Sequence, residues 1–368
     1  MTRLLQVVAD GRAGGGTSHV LHLCRSLARP DLDVHLLTDA GSHAEREAKD
    51  AGIPVHTLPF FASGRLHPRL WRDVHRLAER LAPSLIHAHG ARAALPLAIN
   101  RPGRRKERRP ALVYSVHGYH FIAKGLIQRR MAAYAERLCA KAADRTVFVC
   151  AHDQRLAERW NLVSGRERGD VIYNGIDPES LPAHRPSERF TIAFLGRLVP
   201  QKNPLCLIDI MDGVRDLPVD LRIIGDGELR GELERRVERR QLTERIEVTG
   251  QLSRADALEA LAECRALILP SHWEGLPLSV LEAMAMGLIT IASEVGGLGE
   301  MIDHGKTGWL IKPGVVDGFA GHIRDLLDDP VFAEEMARNA KDCATRRFAW
   351  SRTRDAHLAL YRQLIDSR

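Results

Sequence analysis

The sequence predicts an α/β protein of two domains, each built on a parallel, doubly wound sheet. Short apolar runs alternate with helical patterns along the whole chain, as in successive strand–helix–strand units. With 368 residues the chain is also longer than one hydrophobic core usually supports. The alternation starts again after a linker near residues 164–185, which is marked by Ser164-Gly165 and by Pro178 to Pro186. We therefore expect the first domain over residues 1–168 and the second over residues 169–348.

The expected strands are short apolar runs bounded by polar or turn-forming residues. In the first half they are Leu4–Ala9, Val34–Leu37, Val55–Leu58, Leu85–Ala88, Leu112–Val116 and Thr146–Val149. In the second half they are Thr191–Leu195, Leu221–Ile224, Ile246–Thr249, Ala266–Leu269 and Leu288–Ala292. No run approaches the length of about 18 apolar residues that indicates a membrane-spanning helix.

The composition is that of an ordinary globular protein, with 45% hydrophobic and 27% charged residues. The N-terminal segment becomes polar too soon for a secretory signal peptide. The six cysteines stand singly, without a Cys-x-x-Cys pair, which favours reduced thiols over disulfides or a zinc site. These features predict a cytoplasmic protein.

Positive charge is concentrated in the first half of the chain. Residues 1–168 contain 28 Lys and Arg against 15 Asp and Glu, a net charge of +13, whereas the remainder has 25 against 32, a net charge of −7. The excess lies in the loop Arg101–Arg109 and on a helix carrying Lys124, Arg129, Arg130, Arg137 and Lys141. This pattern favours a polyanion or an anionic membrane surface as a partner, and the alternative is that the basic residues only keep the protein in solution. Nucleic acid is disfavoured, because aromatic residues are only 5% and no stacking cluster accompanies the arginines.

Two carboxylates follow the strand Ala266–Leu269. Glu274 lies in the loop after the strand, and Glu282 lies in the helix that begins near Pro277 and is expected to end at Gly287. Ligands of open α/β sheets bind at the carboxyl ends of the strands. Each Glu taken alone could be a helix-dipole partner or a solvated side chain, so the pair carries the inference.

A second candidate site follows the strand Thr191–Leu195. Arg197 and Lys202 lie in its loop, and Asn203 before Pro204 is expected to be the N-cap of the next helix. Two cations fixed in one loop suit a diphosphate, because they neutralise the negative charge of a departing phosphate group. The alternative is a pair of ordinary surface cations.

Glycines and histidines mark further strand ends. Gly14–Gly16 precedes the first helix, for which Thr17 or Ser18 is the expected N-cap, and open backbone there lets a ligand approach. The glycines do not have the spacing of a dinucleotide fingerprint. His87 and His89 share a strand face, so a metal site is an open alternative, although no acidic or Cys ligand accompanies them.

Together these motifs resemble those of the retaining glycosyltransferases of family 4, which have the GT-B fold. Glu274-Gly275-Leu276-Pro277 and Glu282, eight residues after Glu274, match the Glu-x7-Glu signature, and Gly196-Arg197-Leu198 with Lys202 matches the phosphate-binding motif. The resemblance covers nearly the whole chain and is strongest at residues 171–312. It implies two Rossmann-like domains facing a cleft and a C-terminal helix, residues 349–368, that crosses back to the first domain.

The resemblance also implies a reaction. A hexose or N-acetylhexosamine would pass from a nucleoside diphosphate sugar, UDP first and GDP next, to a saccharide or lipid-linked saccharide with retention, in the synthesis of cell-envelope polysaccharide or lipopolysaccharide. Glu274 and His117 would bind the transferred sugar, Glu282 the ribose, and Arg197 and Lys202 the diphosphate. The other implied donor-binding residues are Gly15, Gly16, Gly196, Gly225, Gly227, Gln251, Leu252, Gly275, Leu276, Pro277 and Leu278. No metal ion or cofactor is expected.

Two other functions stay open at this stage. A nucleotide-sugar epimerase or phosphorylase would use the same fold and the same donor-side residues. A non-enzymatic protein that binds polyanions would use the basic first half, but that function leaves the strand-end motifs unexplained.

Overall fold

The computed structural model describes residues 2–61, 67–99, 109–123, 125–163 and 169–368, which form two compact units. One unit contains residues 1–173 and 352–368, and the other contains residues 174–351. The first unit therefore extends five residues further than the domain expected from the sequence. The reason is a short strand, Gly169–Val171, that pairs in parallel with Arg145–Phe148 of the first unit.

The first unit contains a seven-stranded parallel sheet in the order β3-β2-β1-β4-β5-β6-β7. Its strands are β1 Thr2–Val8, β2 Leu32–Asp39, β3 Val55–Leu58, β4 Leu85–His89, β5 Ala111–Val116, β6 Arg145–Phe148 and β7 Gly169–Val171. Its helices, in chain order, are α1 Gly15–Leu27, α2 His43–Asp50, α3 Pro68–Leu81, α4 Ala91–Ile99, α5 Leu126–Ala142 and α6 Ala151–Arg159. The strand order reverses between β1 and β4.

The second unit contains a six-stranded parallel sheet in the order β10-β9-β8-β11-β12-β13. Its strands are β8 Phe190–Leu195, β9 Val219–Ile224, β10 Ile246–Gly250, β11 Ala266–Leu269, β12 Ile289–Ser293 and β13 Trp309–Ile311. The helices are α7 Cys206–Asp212, α8 Arg230–Arg239, α9 Arg254–Ala262, α10 Leu278–Met286, α11 Leu298–Met301, α12 Val316–Asp328, α13 Pro330–Arg347 and α14 Trp350–Asp366. From Arg352 onward α14 belongs to the first unit.

All eleven expected strands are present, and the two Rossmann-like sheets are confirmed. The central strands are buried along their length, as β11 shows with no exposed side chain, because helices cover both faces of a parallel sheet. The sequence did not predict β7 and β13. Both are three-residue edge strands, too short to give an apolar run.

Helix boundaries correct two expectations and confirm a third. Asn203 is not an N-cap: it adopts a left-handed conformation with φ of 50° after a 3-10 turn, and α7 begins only at Cys206. Neither Thr17 nor Ser18 caps α1, which begins at Gly15. Gly287 does end α10, with φ of 86°, a conformation that glycine adopts at little cost. None of the helices in the described ranges has the length and apolarity needed to span a bilayer.

Candidate active site

The candidate site of the second unit lies where the strand order reverses. β8 and β11 are neighbours there, and each runs into a loop with a predicted motif. The first loop carries Arg197 and Lys202, and the second carries Glu274 before α10 begins at Leu278. The two motifs are therefore brought to one edge of one sheet, which is the position where open α/β sheets bind ligands.

Lys202 and Glu274 form a buried ion pair at this edge. The Nζ atom of Lys202 lies 2.6 Å from Oε1 of Glu274, and the hydroxyl of Ser271 donates to the same oxygen at 2.6 Å. Only 14% of the Lys202 side chain and 5% of the Glu274 side chain are exposed. The contact holds the two side chains in position. Removing either one would leave an uncompensated charge on its buried partner.

Gln201 and Asn174, which the sequence did not single out, hold the two loops in place. The side-chain amide of Gln201 donates to the carbonyl of Trp273 at 3.1 Å, and the backbone carbonyl of Gln201 accepts from the backbone N–H of His272 at 2.9 Å. The buried Asn174 donates to the carbonyl of Leu276 at 2.7 Å. The loop that contains Glu274 is therefore fixed by hydrogen bonds from both sides.

Three glycines are needed because neighbouring backbone leaves no space for a side chain. A Cβ atom on Gly225 would lie 2.0 Å from the carbonyl oxygen of Gly196, and one on Gly227 would lie 2.4 Å from that of Leu198. Gly296 has φ of 58°, and its Cβ would lie 1.8 Å from the carbonyl oxygen of Glu274. These turns pack directly on the backbone of the two site loops.

Replacing Gly296 with Ala is expected to lower the free energy of unfolding by about 2–4 kcal/mol, because the new methyl group must displace the Glu274 peptide. Gly299→Ala is the matched control. It lies three residues on, in α11, with no atom within 4 Å of its Cβ position, so its effect should stay within about 1 kcal/mol. Chemical denaturation of both variants measures the difference. Equal stability of the two would contradict the close approach seen here.

Glu282 has an arginine partner from the neighbouring helix α9. Nη1 of Arg254, the first residue of α9, lies 2.6 Å from Oε1 of Glu282. Glu282 is 4% exposed and Arg254 is 46% exposed, so the guanidinium group connects a buried carboxylate to the surface. Ser253 caps α9, its hydroxyl accepting a hydrogen bond from the backbone N–H of Asp256. Gln251 and Leu252 immediately precede this cap, at the end of β10.

The other predicted residues are less constrained or lie in the first unit. Arg197 is exposed and forms no ion pair with any residue that the structure describes. Gly275, Leu276, Pro277 and Leu278 are buried where α10 begins. Gly15 and Gly16 are exposed in the first turn of α1, after β1, and His117 directly follows β5.

The histidines of β4 do not support the metal alternative. His87 forms hydrogen bonds to Tyr361 at 2.5 Å and Ser115 at 2.7 Å, and His89 to His117 at 3.0 Å and Gln6 at 2.9 Å. All four ring nitrogens therefore contact protein groups. Burial and neighbouring imidazoles lower the pKa of His87 and of His89 well below the ordinary value, so both rings are neutral. Within the described ranges, no group of three or more His, Cys, Asp and Glu could hold a metal ion.

The chain is similar to known glycosyltransferases in sequence and in fold. Residues 13–180 match the family model for Glycosyltransferase Family 4, and residues 178–343 match the model for glycosyl transferases group 1. An uncharacterized glycosyltransferase of Methanocaldococcus jannaschii is 27% identical over 359 residues, 96% of this chain and 95% of that protein. The UDP-Gal:alpha-D-GlcNAc-diphosphoundecaprenol alpha-1,3-galactosyltransferase of Escherichia coli is 26% identical over 73% of each chain.

Among solved structures, the Anabaena protein HepE in complex with UDP and glucose has the same fold. Its TM-score is 0.84 at 22% identity, over 99% of this chain and 100% of that one. The two family matches together span residues 13–343 and meet near the division between the two units. From its sequence matches and its fold, the chain belongs to the glycosyltransferases of the GT-B fold.

Proposed function

We propose that the chain is a retaining hexosyltransferase of family 4 that uses a nucleoside diphosphate sugar. It transfers a hexose or N-acetylhexosamine to a saccharide or lipid-linked saccharide. UDP is the first candidate for the donor nucleotide and GDP is the second. The buried Lys202–Glu274 pair at the carboxyl edge of the second sheet carries the proposal. UDP is favoured because HepE binds UDP and the E. coli relative is named for UDP-Gal. That relative's diphosphoundecaprenol acceptor suggests cell-envelope polysaccharide or lipopolysaccharide synthesis.

In this proposal different residues of the second unit bind different parts of the donor. Glu274 binds hydroxyls of the transferred sugar, and Lys202, already 2.6 Å from that carboxylate, lies where sugar and diphosphate meet. Arg197 is exposed and binds the diphosphate from the same loop. Glu282 binds the ribose hydroxyls, and the positive charge of Arg254 lies 2.6 Å from its carboxylate.

The backbone supplies the rest of the proposed donor site. The N-terminus of α10, with Gly275, Leu276, Pro277 and Leu278, adds the positive end of a helix dipole near the diphosphate. Gly196, Gly225, Gly227, Gln251 and Leu252 border the donor through their backbone at the ends of β8, β9 and β10. Gly15, Gly16 and His117 are proposed to bind the donor from the family resemblance alone.

The proposed transfer proceeds on one face of the sugar. The bond from the anomeric carbon to the phosphate oxygen breaks while the acceptor oxygen bonds to the same carbon. The acceptor proton passes to the leaving phosphate, so no enzyme nucleophile is needed. Lys202 and Arg197 stabilise the charge that develops on that phosphate.

Nuclear magnetic resonance of the reaction mixture tests the proposal. The protein is incubated with UDP-glucose, UDP-galactose, UDP-N-acetylglucosamine or GDP-mannose, with and without saccharide acceptors. We expect a new α-linked product from an α-donor only when acceptor is present. An isomerised donor without acceptor would show an epimerase, and a β-linked product would contradict retention.

Activity is expected to survive EDTA. Lys202, Arg197 and the N-terminus of α10 provide positive charge where a divalent cation would otherwise neutralise the diphosphate. Initial rates with and without excess chelator measure this. A loss of activity that Mg²⁺ or Mn²⁺ restores would contradict the expectation.

We further propose that the protein works in the cytoplasm as a peripheral membrane protein on the inner face of the plasma membrane. One face of α5 supports this, because it exposes large apolar side chains, with Leu126 at 73% and Ile127 at 77%, beside basic ones. The exposed residues of this face are Leu126, Ile127, Arg130, Met131, Tyr134, Arg137 and Lys141. Apolar residues mixed with Lys and Arg suit an anionic bilayer surface. Residues 101–108 and Lys124, which the sequence analysis also assigned to this surface, lie outside the described residues.

Replacing Arg130, Arg137 and Lys141 with Ser is expected to weaken binding to anionic vesicles on the order of 10²-fold, from about 1 kcal/mol per basic residue. The control replaces the exposed Arg235, Arg239 and Lys306 of the second unit with Ser, which changes the net charge equally. Co-sedimentation with anionic and neutral vesicles measures both. Equal pelleting with the two vesicle types, or with neither, would contradict membrane docking.

A further inference from the structure

The central strands of the first unit carry polar residues on a buried face. Gln6 of β1, His87 and His89 of β4 and Ser115 of β5 are each at most 6% exposed. Covered parallel strands are usually aliphatic there, and a buried polar group is costly unless it is hydrogen-bonded. Each of these buried polar side chains therefore needs hydrogen-bond partners, and a fully hydrogen-bonded network fixes the orientation of every side chain in it.

The polar residues form one continuous chain of five hydrogen bonds. In order, the chain joins His117, His89, Gln6, Tyr361, His87 and Ser115, with heavy-atom distances of 3.0, 2.9, 3.2, 2.5 and 2.7 Å. Gln6 and Tyr361 are 355 residues apart in the sequence, so α14 completes a network that begins in the first strand. His117, at one end of this chain of hydrogen bonds, is the histidine proposed to bind the donor sugar.

The orientation of the Gln6 amide determines the direction of the first two bonds. Its carbonyl oxygen faces Nε2 of His89, and an oxygen can only accept, so His89 carries its hydrogen on Nε2. Because His89 is neutral, its Nδ1 must then be an acceptor. The bond between Nδ1 of His89 and Nε2 of His117 therefore has His117 as its donor.

Tyr361 fixes the Gln6 amide from the other side. Nε2 of Gln6 donates to the Tyr361 oxygen, whose hydroxyl hydrogen is then directed at Nδ1 of His87. Burial raises the pKa of Tyr361, so the hydroxyl stays protonated. His87 in turn donates from Nε2 to Ser115. Every donor in this direction has an acceptor.

We infer that Gln6 is a positioning residue that keeps a hydrogen on Nε2 of His117, the nitrogen that donates to His89. Moving that hydrogen would change the histidine ring that the proposed donor site uses. The part of the inference that concerns sugar binding rests on the proposed function, whereas the tautomer does not.

Gln6→Glu reverses the chain with almost no change in shape. A carboxylate can accept from both His89 and Tyr361 but donates to neither, and its charge favours a doubly protonated His89. Nδ1 of His89 would then donate to Nε2 of His117, which would move the His117 hydrogen to Nδ1. Gln6→Met removes both hydrogen-bonding groups instead and leaves His89 without its acceptor.

Nitrogen-15 resonance of histidine-labelled protein tests this without any substrate, with the His117 signals assigned through the loss seen in His117→Asn. We expect hydrogen on Nε2 of His117 in the wild type and on Nδ1 in Gln6→Glu. The control His75→Gln, where the ring contacts the carbonyl of Pro96 on α4, should leave the His117 signals unchanged. Hydrogen on Nδ1 in the wild type, or no change in Gln6→Glu, would overturn the inference.

Kinetics separate this inference from the proposed function. Loss of one well-placed hydrogen bond corresponds to a decrease of about tenfold in kcat, and Gln6→Glu should show it with donor KM changed less than about twofold. If Gln6→Glu alters the tautomer of His117 but not kcat, His117 does not belong to the proposed sugar site, although Gln6 still sets the tautomer. A reduced kcat with an unaltered tautomer would overturn the positioning role.

Discussion

Lys202→Ala is expected to lower kcat by at least ~10²-fold, the loss that follows when one preorganised contact to a developing charge is removed. In the structure the ammonium group of Lys202 is buried and 2.6 Å from Glu274, so neither water nor a mobile side chain can easily replace it. Arg197→Ala should have a similar effect, because Arg197 lies in the same loop and its guanidinium group is exposed for a ligand. Steady-state rates with the preferred donor measure both losses.

A stability effect must be separated from this loss. Lys202→Ala leaves the buried Glu274 with Ser271 as its remaining hydrogen-bond donor among the described side chains, so the variant should also unfold more easily. Adding Glu274→Gln removes the unpaired charge and should restore the melting temperature without restoring kcat. Lys312→Ala, at an exposed lysine of the same unit, is the control for loss of charge alone. A folded Lys202→Ala protein with near-normal turnover would exclude the proposed role.

Mild acid is expected to destabilise the first unit as the pH falls from 7.5 to 5.5, because its unfolded chain then binds more protons than the folded one. His19, His87, His89 and His357 are fully buried, and burial lowers the pKa of each, that of His357 to about 4. In the unfolded chain each titrates near 6.5, so below that pH the unfolded state binds more protons. Their stabilising contribution is therefore present above pH 6.5 and is lost as the pH falls towards the folded pKa. For His357, with a folded pKa of about 4, the loss is roughly 1.3 kcal/mol by pH 5.5.

Hydrogen exchange measured strand by strand can detect this loss. Peptides that contain β1, β4 and β5 should lose protection at pH 5.5, after correction for the intrinsic exchange rate. Peptides that contain β11, whose side chains are all aliphatic, should change much less. His272→Gln, at an exposed histidine, should leave the profile unchanged. Equal loss of protection in both sheets would contradict a histidine origin.

The fold was predictable because its signals are local. Every expected strand is a short apolar run. Glu274 and Glu282 follow β11 closely in the sequence, so their positions depend only on their spacing from that strand. Lys202 and Glu274 were assigned to the ends of two strands, and adjacency of β8 and β11 then brings them together. The edge strands β7 and β13 were missed because a three-residue strand depends on its neighbour rather than on its own sequence.

The partners of the site residues were not predictable, because they come from distant parts of the chain. Asn174 contacts a carbonyl 102 residues away, and Arg254 reaches Glu282 from a different helix. No sequence pattern distinguishes such an Arg from a solvated one. The histidines of β4 looked like possible metal ligands for the same reason, since their hydrogen-bond partners Gln6 and Tyr361 lie at opposite ends of the chain.

Donor binding tests the central claim most directly, which is that the carboxyl edge of the second sheet binds a nucleoside diphosphate sugar. Thermal unfolding is followed with UDP-, GDP- and ADP-sugars, for the wild type, Lys202→Ala and Glu282→Gln. One nucleotide should stabilise the wild type by about 2.7 kcal/mol at a concentration of 100 times its Kd, and much less in the two variants. No stabilisation by any nucleotide sugar, or the same stabilisation in all three proteins, would contradict this assignment of the site.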